Sequence, residues 1–82
     1  MSDRDNNSLL ADAFMEALNI SRDLVQDELK YNAISEWDSV AHMILVSALE
    51  EKFSVMLDTN EILDMSSVAK AKIILGNHGI EF

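Results

Sequence analysis

Ser39 and His42 are the two residues whose types and spacing come nearest to chemistry in this sequence. Three positions apart on a helix, they are surface neighbours. A serine nucleophile needs a base within hydrogen-bond reach. His42, however, falls on an apolar helical stripe with Leu45, Val46, Leu49 and Phe53. There it reads as a packed, hydrogen-bonded histidine rather than a base. With two histidines in all and no cleft-sized scaffold, a free-standing hydrolase is disfavoured, and no catalytic residue is assigned. Metal chemistry fares no better. Asp3, Asp5 and Asn7 have the spacing that opens a calcium loop, but Ser8 stands where its glycine belongs and Phe14 where its bidentate glutamate belongs. His42 and His78 lack helical ligand spacing, so no metal ligand is assigned either.

What remains is the serine itself. Asp38 is as good an N-cap as Ser39 and also suits the positive end of a helix dipole. With Asp38 as the cap, Ser39 falls in the first turn with its hydroxyl outward. A helix N-terminus is a natural seat for a phosphate, and a serine there is well placed to carry one.

The elements that must position Ser39 follow from pattern and caps. The chain has no proline and two glycines, which permits long helices and gives little support to tight hairpins. A first helix is expected from about Ser8 to Leu18, capped by Ser8 or Asn7, with Leu10, Phe14, Ala17 and Leu18 inward. Residues 19–38 read as a long loop that drops Ile20, Leu24, Val25, Leu29 and Ile34 onto the core, with a short turn through Arg22–Leu24. Trp37 anchors its end. Loops this long in a small domain tend to be functional.

The second helix runs from about Ser39 to Phe53. Its N-terminal half is apolar nearly all round, because Val40, Ala41, Met43 and Ile44 lie off the core stripe. Such a second face calls for loop packing or a partner. Asp58 and Glu61 form a capping-box-like start for a short helix. Ser66 or Ser67 caps a last helix over Val68–Leu75, which Gly76 ends. The fold class is therefore all-α, a small bundle of three main helices and one short one.

At 82 residues the chain is expected to form one domain, 1–82, with its packed core at about 8–76 and polar residues 1–7 mobile. Its net charge of -9, from 15 acidic and 6 basic residues, repels nucleic acid and anionic lipid and favours basic partners. Glu50, Glu51, Asp58, Glu61 and Asp64 crowd the second half. Cysteine is absent, so no disulfide or thiolate site supports the fold. No apolar run approaches the roughly 20 residues that span a bilayer, and the start of the chain lacks the pattern of a signal peptide. The expected setting is cytoplasmic, with no membrane insertion.

Asp38-Ser39-Val40, followed by a helix that closes Leu49-Glu50-Glu51-Lys52-Phe53, resembles the acyl carrier proteins and peptidyl carrier domains. Their hallmark is Asp-Ser-Leu at the start of the second helix, which commonly ends Leu-Glu-Glu-x-Phe. The resemblance covers nearly the whole chain, down to the Ser67-Val68 entry of the last helix. It implies that Ser39 is the attachment point of a 4'-phosphopantetheine arm. A phosphopantetheinyl transferase would move that arm from coenzyme A, and its thiol would carry acyl or aminoacyl groups as thioesters. A loading ligase or transferase and downstream enzymes are then the partners of a monomeric, non-catalytic carrier.

The departures sharpen the expectation. Val40 replaces the usual leucine, Trp37 precedes Asp38, and a histidine follows three residues after the serine. These features look like the discrete carriers of specialised pathways, such as those for surface polysaccharides or secondary metabolites. Where fatty-acid carriers commonly have acidic residues on the outer face of helix two, this chain has Ala41 and Ile44. The expected recognition surface is Asp38, Val40, Ala41, Met43, Ile44, Glu50 and Glu51, more hydrophobic near the arm than in a fatty-acid carrier. The alternative is a small acidic helical adaptor that binds partners without a prosthetic group.

Overall fold

The computed structural model describes residues 5–82. Within them lie four α-helices: α1 (Asn6–Leu18), α2 (Ser39–Phe53), α3 (Thr59–Asp64) and α4 (Val68–Asn77), with one 3₁₀ turn at Arg22–Leu24. This is an all-α bundle of three main helices and one short helix, as the pattern of the sequence implies.

A side chain sets each helix start, as the unpaired N–H groups of a first turn require. The Asp5 carboxylate accepts from the Ser8 amide at 2.8 Å. Asp38 accepts from the Ala41 amide at 2.9 Å. Asp58 accepts from Glu61 at 2.8 Å while the Glu61 carboxylate accepts from Asp58 at 3.0 Å, a complete capping box. Ser67 accepts from Lys70 at 3.0 Å.

Two expected ends shift. The cap of α1 is Asp5, not Ser8 or Asn7, so Asn6 and Asn7 belong to the helix. The Asn6 side chain also donates to the Glu81 carbonyl at 2.8 Å. Residues 1–4, including Asp3 of the calcium-like spacing, lie outside the described residues. At the other end, α4 continues through Gly76 to Asn77. The left-handed position falls at Gly79 (φ +91°), and the Ile80 amide then reaches back to the Leu75 carbonyl at 3.1 Å. Only a residue without Cβ takes that backbone readily, so Gly79 and not Gly76 makes the turn.

The core gathers Leu10, Phe14 and Leu18 from α1, Leu45, Leu49 and Phe53 from α2, and Val68, Ala71 and Leu75 from α4, with Trp37 and Met65 between them. Burying each large apolar side chain contributes about 1.5–3 kcal/mol, and this is what holds helices too short to persist alone. Phe14 meets Trp37 edge-on with ring centroids 5.3 Å apart.

The long connection between α1 and α2 is stitched to the junction of α3 and α4. The Tyr31 amide donates to the Ser66 carbonyl at 2.9 Å and the Val68 amide to the Leu29 carbonyl at 3.0 Å, a single antiparallel bridge. Lys72 adds an ion pair to Asp27 at 2.8 Å. Ile20, Val25, Leu29 and Ile34 pack against the core, whereas Leu24 stays largely exposed. Among the described residues, no helix is long and apolar enough to cross a membrane.

Candidate functional site

Ser39 is the first residue of α2 and is exposed. It takes no part in the cap, because the Asp38 carboxylate already holds the Ala41 amide and the Asp38 carbonyl receives the His42 amide at 2.9 Å. The extended backbone of Asp38 (φ -105°, ψ -172°) is that of an N-cap residue. The serine hydroxyl therefore stands at the positive end of a fifteen-residue helix with no structural duty in its start.

His42, one turn further on, is committed elsewhere. Its Nδ1 lies 3.0 Å from the indole nitrogen of Trp37, and its Nε2 lies 2.9 Å from the Ile62 carbonyl. Both ring nitrogens are used, so His42 has no lone pair to offer Ser39. Trp37 is fully buried beneath it, with Tyr31 packed edge-on to both rings. The expected packed histidine and the expected anchoring role of Trp37 turn out to be one contact.

Beside Ser39 opens a mainly apolar groove of about 300 Å³. Its walls come from three elements: Tyr31 of the long loop, Ser39, His42 and Met43 of α2, and Ile62 and Leu63 of α3, with Met65 and Ser66 after them. A second groove of about 280 Å³ lies between α1 and the loop, over Leu10, Ala11, Arg22, Val25 and Lys72, and shares no lining residue with the first.

The expected recognition surface divides. Val40, Met43 and Ile44 are 69%, 54% and 52% exposed and form an apolar patch around Ser39. Ala41 does not belong to it. It is buried at 8%, one turn before Leu45 and two before Leu49, and so lies on the core stripe. Glu51 is exposed, but Glu50 is half-buried and its carboxylate accepts from the Leu57 amide at 3.0 Å. Glu50 therefore fastens the segment that leaves α2, a role that sequence reasoning missed. It also missed Leu63, which is 75% exposed on α3 and lines the groove with Met43. The available signal was that a six-residue helix carrying both Ile62 and Leu63 cannot turn both inward.

Chemically, the site offers an exposed primary hydroxyl at a helix N-terminus, an adjoining apolar groove, and no base of its own within the pair first considered. Such a hydroxyl can receive a group from another enzyme's active site. Comparisons with family models, curated proteins and solved structures find no match to this chain.

Proposed function

We propose that the chain is a carrier protein that bears 4'-phosphopantetheine on the Ser39 Oγ and shuttles acyl or aminoacyl groups as thioesters between partner enzymes. The observation that carries this reading is the division of labour at the start of α2: Asp38 caps, and Ser39 presents a free-standing hydroxyl. A phosphopantetheinyl transferase would break the pyrophosphate link of coenzyme A, form a phosphodiester at Oγ and release adenosine 3',5'-bisphosphate. The serine proton would leave through the transferase, which accounts for a site without a base.

The residues present fit the group. The first turn of α2 supplies backbone N–H groups and a positive dipole end for the phosphodiester. The groove walled by Tyr31, Met43, Ile62 and Leu63 lies beside Ser39 and would hold the arm or its load. The bound group would supply a thiol, which this cysteine-free chain does not otherwise possess.

Partner enzymes would dock on Val40, Met43, Ile44 and Leu63 around the hydroxyl, with Glu51 and the general negative charge steering basic surfaces toward it. The reading implies a cytoplasmic monomer in an acyl-transfer pathway. The same apolar patch would also serve a small adaptor that binds without a prosthetic group. Intact mass separates the two. After exposure to coenzyme A and a broad-specificity transferase, a carrier gains one phosphopantetheine at Ser39 and an adaptor gains nothing.

A further inference from the structure

We infer that His42 is the positioning residue of the Ser39 groove: a neutral clamp that ties both the loop before α2 and the helix α3 to the helix that carries Ser39. An indole nitrogen only donates, so Nδ1 of His42 must offer its lone pair to Trp37 across 3.0 Å. A carbonyl only accepts, so Nε2 must carry the proton it shares with Ile62 across 2.9 Å. One neutral tautomer satisfies both partners at once.

The clamp joins the walls of the groove. Tyr31 stands with its ring 5.3 Å from His42 and 6.1 Å from Trp37, and Ile62 lines the facing element. The helix α3 has six residues and none of them is buried. Side-chain ties therefore matter to it more than core packing does. Besides the His42 bond, these ties include the Asp58–Glu61 capping box and the Glu61–His78 pair at 2.9 Å.

A second proton on His42 breaks the arrangement on one side. Nδ1–H then faces the Trp37 N–H, two donors with no acceptor between them, while the Ile62 bond persists. Trp37 is fully buried, so its N–H has no water to turn to. The titratable groups nearest in sequence to the clamp residues are Lys30, Tyr31 and Glu36 on the loop, Asp38 at the head of α2, and Glu61 and Asp64 on α3. Asp38 is engaged by the Ala41 amide, and Glu61 by His78 and the Asp58 amide. Neither is the partner of either His42 nitrogen. Acid thus breaks the Trp37 side of the clamp and leaves the Ile62 side attached, while the Tyr31–Ser66 backbone bond still holds the loop. The clamp stands on its own contacts; only its bearing on an arm held in the groove rests on the carrier reading.

The test uses the full chain with Ser39→Ala, so that the result does not depend on an arm, and with His78→Gln, so that His42 alone titrates among the histidines. The Nε1–H resonance of the one tryptophan and the ring resonances of His42 are followed by NMR as the pH is lowered. The Trp37 resonance is expected to move in step with the His42 ring, and its exchange with solvent to quicken about tenfold or more. His42→Gln keeps an acceptor and a donor and should hold that exchange slow into acid. His42→Leu fills the space without the bonds and should exchange fast at every pH. A Trp37 resonance that stays still while the His42 ring responds to pH overturns the proposal even if neither His42 variant folds. So does a Gln variant no better protected than the Leu variant.

Discussion

Replacing Asp38 and Ser39 one at a time separates a helix cap from a modification site. Asp38→Ala removes the acceptor held by the Ala41 amide at 2.9 Å. Loss of an N-cap side chain typically costs about 1 kcal/mol and at most about 2. The favourable charge at the helix start is worth about 0.3–1 kcal/mol and overlaps with the cap term. A total of about 1–2 kcal/mol is therefore expected. In a domain of this size each kcal/mol moves Tm by about 4–8 °C, so Tm should fall by about 4–16 °C. Ser39→Ala deletes an exposed hydroxyl and installs a better helix former. It should stay within about 0.5 kcal/mol of the wild type. Asp38→Asn keeps an acceptor and isolates the charge, and should fall between the two. The assay is thermal and urea unfolding followed by far-ultraviolet circular dichroism on unmodified protein. A Ser39→Ala variant as destabilised as Asp38→Ala would show that the serine is the cap and would refute the argument.

Other substitutions test the rest of the site by the same unfolding measurements. Ala41→Glu forces a long charged side chain into the core and should cost at least the roughly 1–3 kcal/mol of overpacking. Val40→Glu and Ile44→Glu should stay within about 0.5 kcal/mol; on the carrier reading they should also weaken binding to a loading enzyme, measured by titration, and the wild-type affinity should fall little as salt is raised. Glu50→Ala leaves the Leu57 amide unpaired and should cost about 1 kcal/mol, which Glu50→Gln largely restores. Gly79→Ala should cost about 1–2 kcal/mol because the backbone there is left-handed. Gly76→Ala, in open space within α4, should instead stabilise by up to about 1 kcal/mol.

The parts of the fold that were legible in the sequence are those set by local chemistry. Ser39–Phe53 could be bounded because Asp38 precedes an unbroken apolar stripe. The start of α3 could be found because Asp58 and Glu61 stand three apart. The start of α1 could not, because Asp5, Asn7 and Ser8 are all competent caps and only three-dimensional context selects one. The same holds for Gly76 and Gly79: composition marks both, and the backbone decides.

Ala41 was misplaced for a different reason. A small side chain adds little to a hydrophobic pattern, although its spacing of four from Leu45 already pointed inward. The groove was invisible for a more general reason. It forms where the long loop meets α3, and contacts between distant segments leave no period to read. The Trp37–His42–Ile62 chain of bonds and the Glu50–Leu57 bond are of the same kind.

The central claim is that Ser39 exists to be modified. The most direct measurement is the intact mass of the protein after incubation with coenzyme A and a broad-specificity phosphopantetheinyl transferase, with the modified residue located by fragmentation. One phosphopantetheine per wild-type chain is expected, located on Ser39, and none on Ser39→Ala. An unchanged wild-type mass, or an equal increase in the Ser39→Ala variant, would contradict it.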